Sequence, residues 1–162
     1  IDEVTEHVTW DPHEIKKETL EFLERGRERF EDGEAATYVI RPREGEDGAG
    51  EIAGFGGFDV EWDRRTANLG VWLRKRFWGR GYSGERAAAL ARVAFDDLDL
   101  DVVAVSHHPG NEASRRAIEE YVDRLGGRRE GRLRNTLEFA DGSVHDEVRY
   151  TISQAEWRAA TA

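Results

Sequence analysis

The chain has 162 residues, neither Cys nor Met, and a formal net charge of -10 at pH 7. That length suits one domain with a substantial core. The missing Cys excludes disulfides, thiolate metal sites and a cysteine nucleophile, and the negative charge disfavours non-specific binding to nucleic acid or an anionic membrane. No apolar run approaches a membrane span. Residues 12–29 carry Ile15, Thr19, Phe22 and Leu23, with Phe30 just beyond, at helical spacing with charge between them, which predicts a helix. Residues 35–41 read as a strand closed by Pro42, and residues 44–50 as an acidic, glycine-rich turn. Strands at 51–62 and 66–73 join through Asp63-Arg64-Arg65 as a hairpin.

After a glycine-containing loop, Ala87, Leu90, Ala91, Ala94, Phe95 and Leu98 fall on one helix face. Residues 101–106 (DVVAVS) read as a short buried strand. Pro109-Gly110-Asn111 breaks it and opens a helix with Ala117, Ile118, Tyr121, Val122 and Leu125 inward, ended by Gly126-Gly127. Two last strands, 132–139 and 145–152, flank a turn at Asp141-Gly142. Strand, glycine loop, helix and strand in that order predict two parallel neighbours with a right-handed crossover. Antiparallel hairpins on either side complete a single-domain α/β fold with a mixed sheet.

The loop is Arg76-Phe77-Trp78-Gly79-Arg80-Gly81-Tyr82-Ser83. Gly79 and Gly81 let the backbone turn sharply and approach a ligand closely. Successive N–H groups at a helix start make a concave anion site, to which Arg76 and Arg80 add charge. A plain strand-to-helix turn, with Ser83 as an N-cap, is the simpler reading; the basic residues on both sides favour a phosphate or pyrophosphate.

These residues resemble the GNAT acyltransferase superfamily, whose acyl-CoA loop reads Gln/Arg-x-x-Gly-x-Gly/Ala, matched by Arg76, Gly79 and Gly81. The surroundings fit as well: LGVWL (69–73) before the loop, Tyr82 and Glu85 after the glycines, and Asn111-x-x-Ser114 after the next strand. Leu125-Gly126, Arg129-Glu130-Gly131 and His145-Asp146…Tyr150 resemble the branch that acetylates ribosomal-protein N-termini. The similarity runs over residues 5–158. There are three departures. The family usually has a strand and helix before the segment equivalent to Ile1, so a trimmed or processed start is expected. The helix after Asn111 is about one turn longer, around 120–123. Asn68 stands where relatives often carry Glu, which removes one carboxylate base.

The resemblance implies a mostly antiparallel sheet whose central parallel pair splays apart, with flanking helices. It implies acetyl-CoA as cofactor. Pantetheine would bond to the backbone at Val71, Trp72 and Leu73, the pyrophosphate would rest on the N–H groups from Gly79 through Arg80, Gly81 and Tyr82 to Ser83, and Arg74 and Lys75 would reach the 3′-phosphate or else stay solvated at the strand end. Asn111 would contact the CoA arm, or fix the loop that does, while capping its helix. Ser114 would protonate the departing thiolate, unless its hydroxyl bonds its own helix or Asn111. Tyr121 is the other candidate acid, although its spacing also suits packing. Glu138 would bind or deprotonate the amine, or else face water. His107 and His108 end a strand where sites gather, but the family requires neither; Asp146 would fix the terminal strand.

The implied activity is direct acetyl transfer to a primary amine, without a covalent enzyme intermediate. An α-amine with a pKa near 7.8 is about 15% neutral at pH 7, against under about 0.1% for lysine. It therefore needs less help from a base, which suits Asn68 and a protein N-terminus as acceptor. A small amine and a non-catalytic CoA-binding module stay open. A phosphotransferase is disfavoured, because no Gly-Lys-Ser/Thr follows the glycines and no acidic metal pair accompanies them. The basic residues are 21 Arg and only 3 Lys. This acid-rich, lysine-poor balance resembles proteins of a salt-loaded cytoplasm, although a GC-rich genome gives a similar bias. A homodimer is compatible with the sequence.

Overall fold

In the computed structural model the described residues are 12–162; Ile1 and the opening of the family resemblance, residues 5–11, lie outside them. Helix α1 (Lys16–Glu31) leads to β1 (Ala35–Ile40), which ends before Pro42, where the ring excludes a ladder donor. β2 (Gly54–Glu61) and β3 (Thr66–Leu73) form an antiparallel hairpin. β2 is shorter than the sequence suggested. At its start Ala53 donates to the Ile40 carbonyl at the end of β1 and accepts from the Arg74 N–H just past β3, one hydrogen bond to each. At its end Trp62 enters a 3-10 turn and donates Nε1–H to the Gly33 carbonyl at 2.8 Å.

Helix α2 (Tyr82–Arg92) continues as a π-helical turn over Val93–Asp97. Then follow β4 (Val102–His107), α3 (Glu112–Arg124), β5 (Arg128–Glu138), β6 (Val144–Ser153) and α4 (Gln154–Thr161). The six strands make one mixed sheet ordered β1-β2-β3-β4-β6-β5, with β3 and β4 parallel and the other pairs antiparallel. β6 adds directly to β4 and carries β5 at the edge. β5 begins earlier than the sequence suggested because its pairing with β6 starts at Arg128.

The core lies between the sheet and α2, α3 and α4. Phe58, Leu69, Val103, Val105, Val148 and Ile152 meet Leu90, Phe95, Ile118 and Val122 there. α4 was not foreseen. A capping box between Ser153 and Glu156 starts it, and Trp157 packs on Phe95 with ring centroids 5.3 Å apart. α1 departs from expectation in burial: it holds no buried residue, and Ile15 and Phe30 are 57% and 56% exposed. Its described side chains reach the sheet through Arg29, which pairs with Asp59 at 2.8 Å.

Candidate active site

The glycine loop hangs on Phe77, which is fully buried in the 3-10 turn after β3. The guanidinium carbons of Arg74, Arg76 and Arg80 lie 5.6, 4.9 and 5.2 Å from its ring centroid. Gly79 and Gly81 have φ of 72° and 82°, the left-handed region that disfavours side chains. A Cβ on either would meet no atom within 4 Å, so the space beside the loop is open. Gly81 is the N-cap of α2 and offers no side-chain cap. Among the described residues, the N–H groups from Gly79 to Gly84 consequently have no protein acceptor. Unpartnered donors at a helix mouth bind anions.

The arginines of the loop are not free charges. Arg76 Nη1 donates to both Glu51 carboxylate oxygens at 2.9 and 3.1 Å, and Arg80 Nη2 donates to Asp47 Oδ2 at 2.9 Å. Arg74 also reaches Glu51, at 3.2 Å. The acidic turn has folded onto the cations, which is why the sequence overstated their availability. The Arg80 hydrogen bond, with the charge of Arg76, holds the Asp47 carboxyl below the ordinary range. Tyr82 donates to Glu46 at 2.6 Å, a bond that raises its own pKa. Replacing Asp47 by Asn should therefore strengthen CoA binding severalfold at low salt, measured by calorimetry, because the carboxylate competes with phosphate for the same arginines. Unchanged affinity would mean that these arginines do not meet the ligand.

Beside the loop the sheet opens. β3 and β4 pair only at Thr66↔Val102, Ala67↔Val103 and Asn68↔Ala104. Past Asn68, β3 stays with β2 while β4 stays with β6, so the parallel strands part. Val71, Trp72 and Leu73 all lie on the diverging half. Trp72 stacks on Phe55 at 5.4 Å, and the Leu73 carbonyl accepts from Trp78 Nε1 at 2.8 Å. Asn68 Nδ2 donates to Glu61 Oε1 at 2.7 Å, so a carboxylate stands beside the position where a base was missed.

Asn111 caps α3 through Oδ1, which accepts the Ser114 N–H at 3.0 Å. Ser114 is half-buried, and its hydroxyl has no partner among the described residues. Tyr121 is 1% exposed, and its hydroxyl is buried without a hydrogen bond. Burial pushes its pKa up, while the guanidinium of Arg86 pulls it back. Arg86 escaped the sequence reading. It is 8% exposed, and Nη1 donates to the Gly70 carbonyl at 3.1 Å, while Nε and Nη2 have no partner. One signal was available: Arg86 lies one turn before Leu90 and two before Ala94, both buried.

Glu138 is exposed at the end of β5 and paired in register with Val144. His107 is buried, with Nδ1 near the His108 carbonyl at 2.8 Å and its ring stacked on Tyr150, whose hydroxyl donates to Glu119 at 3.2 Å. That chain ties β4, β6 and α3 together. His108 packs against Phe139 and His145. Asp146 takes Arg132 Nε at 2.7 Å and the Asn135 N–H at 3.1 Å, which fixes the irregular stretch of β5. Among the described residues no group of three or more His, Cys, Asp or Glu could hold a metal ion, and no helix is long and apolar enough to cross a membrane.

Known proteins share this fold. Residues 2–121 match the acetyltransferase (GNAT) domain model. A candidate ribosomal N-acetyltransferase of Bacillus subtilis (strain 168), YdaF, is 38% identical over 93 residues, covering 57% of this chain and 48% of YdaF. The match thus spans about half of that relative's length. The uncharacterized N-acetyltransferase p20 of Bacillus licheniformis is 24% identical over 156 residues, 96% of this chain and 83% of p20. Among solved structures, a candidate acetyltransferase from T. thermophilus superposes with a TM-score of 0.76 at 29% identity, over 98% of this chain and 78% of that one. The ribosomal L7/L12 alpha-N-protein acetyltransferase RimL also gives 0.76, at 21% identity over 92% and 76%, a likeness of fold. Because the family match covers both the parting strands and the glycine loop, the chain belongs to the GNAT acetyltransferase family.

Proposed function

We propose that the protein is an acetyl-CoA-dependent N-acetyltransferase whose acceptor is the α-amine of a protein N-terminus. The carrying observation is the row of unpartnered N–H groups from Gly79 to Gly84 at the mouth of α2, beside strands that part after Asn68. The buried, unpaired polar atoms of Arg86 and Tyr121 near that gap also fit a polar ligand. Acetyl-CoA supplies an acyl carbon activated as a thioester. The loop amides would hold its pyrophosphate, the backbone of Val71, Trp72 and Leu73 its arm, and Asn111 would contact that arm. Tyr121 or Ser114 would deliver a proton to the leaving group. Glu138 would hold the amine, and a mostly water-assisted deprotonation suffices for an α-amine.

The ribosomal N-acetyltransferase name of YdaF and that lighter demand on a base support this acceptor. Incubation with acetyl-CoA and peptides beginning with Ala or Ser should release free CoA and add one acetyl group at the peptide N-terminus. Turnover of polyamines or amino acids alone would move the acceptor to small amines. Tight CoA binding without turnover on any amine would leave a binding module. The acidic surface leads us to propose a salt-loaded cytoplasm as the setting. The melting temperature should rise by several degrees between about 0.1 M and about 2 M KCl as self-repulsion is screened; a fall would count against it.

A further inference from the structure

Arg86 carries a charge that the fold does not neutralise. Its stem crosses Gly56 so closely that a Cβ there would lie 2.4 Å from Arg86 Cδ. Its head reaches the carbonyl of Gly70, two residues past the last β3–β4 pair. The guanidinium carbon lies 5.9 Å from the Tyr121 ring centroid. Among the described residues no carboxylate acts on it. From its own helix, Tyr82 and Glu85 border the same cleft, but Tyr82 bonds Glu46 and Glu85 pairs with Arg43 at 3.0 Å. From β1 and the segment after it come Tyr38, Arg41 and Arg43. β2 and β3 offer backbone at Gly56 and Gly70, and α3 offers Tyr121. A buried cation with two unused donors is strongly unfavourable unless something else supplies the negative charge. Donors held ready in a dry site are most effective where charge develops during reaction.

We propose that Arg86 is a catalytic residue that stabilises the negative charge appearing on the thioester sulfur; this rests on the acetyltransferase reading above. As the amine nitrogen bonds the acyl carbon, the carbon–sulfur bond breaks and its electron pair passes to sulfur. The amine's surplus proton goes to solvent. Arg86 faces the sulfur through Nε and Nη2, and Tyr121 gives the sulfur its proton and regains one from solvent. A neutral side chain at position 86 would leave the fold intact, because it removes a buried, unpaired charge.

The test compares binding of CoA and desulfo-CoA, which lacks the sulfur, by calorimetry from pH 6.5 to 9.5. A free alkyl thiol titrates near pH 8.5. A guanidinium beside the bound sulfur lowers that value, so binding of CoA, but not of desulfo-CoA, tightens as pH rises. The preference for CoA should grow about tenfold across the range, equivalent to a shift of about one pKa unit. It should stay flat in Arg86→Gln and partly return in Arg86→Lys. Melting temperatures equal to or above that of the unaltered protein would show both variants folded. A flat preference in the unaltered protein, or an undiminished rise in Arg86→Gln, overturns the role of Arg86 and leaves the acetyltransferase reading standing. Failure of both ligands to bind overturns that reading and the inference with it.

Discussion

Changing Tyr121 to Phe should lower turnover about 100-fold while making the protein more stable. The two effects have one cause. The hydroxyl is buried and makes no well-formed hydrogen bond, with only the Arg86 guanidinium acting on it, so removing it relieves a desolvation penalty of about 1 kcal/mol, or a rise of about 2–4 °C in melting temperature. A proton donor aimed at a leaving group contributes about 100-fold or more to rate. Steady-state kinetics at saturating acetyl-CoA and a thermal melt read both quantities. Ser114→Ala is the companion variant: if Ser114 is the acid, the loss of turnover follows it, and Tyr121→Phe is close to neutral. If Tyr121 merely packs, its Phe variant keeps full activity with the gain in stability.

Gly81→Val should act on binding instead. Val at a φ of 82° carries a backbone strain of about 1–2 kcal/mol, and relaxing it turns the neighbouring N–H groups away from the open space over the loop. Loss of one or two charge-assisted hydrogen bonds, about 3 kcal/mol together, corresponds to about 100-fold weaker CoA binding. KM for acetyl-CoA should rise accordingly, with kcat at saturation much less affected. Calorimetry with CoA provides the direct number. Binding unchanged in a folded Gly81→Val protein would place the pyrophosphate elsewhere.

The elements that bear on this site were readable where pattern and chemistry agreed. β3 was expected over residues 66–73 and is found there, because apolar residues alternate along it between the charged runs Asp63-Arg64-Arg65 and Arg74-Lys75-Arg76. Asn111 announced its helix through Pro109-Gly110 before it and the cap geometry after it. Long-range partners were hidden. Nothing local to residues 44–51 shows that Asp47 and Glu51 fold onto Arg76 and Arg80. The apolar spacing of α1 suggested burial, yet Ile15 and Phe30 face outward among the described residues. α4 did leave a trace in the Ser153–Glu156 capping box, but its extent is set by Trp157 docking on Phe95, a tertiary contact. Arg86 was masked by its own helix: among so many surface arginines, a single inward one does not stand out without the packed neighbours.

Three features of the site depend on one another physically. The two glycines free the amides at the start of α2, β3 parts from β4 past Asn68, and α3 presents Tyr121 toward Arg86. An acyl-CoA of the kind proposed would use all three. The most direct test is an amide-resolved NMR titration of the isotope-labelled protein with acetyl-CoA. The backbone resonances of Gly79, Arg80, Gly81, Tyr82, Ser83 and Gly84 should shift together and saturate with the binding curve, those of Val71–Leu73 moving with them. Saturable binding that leaves the loop amides unmoved would contradict the account.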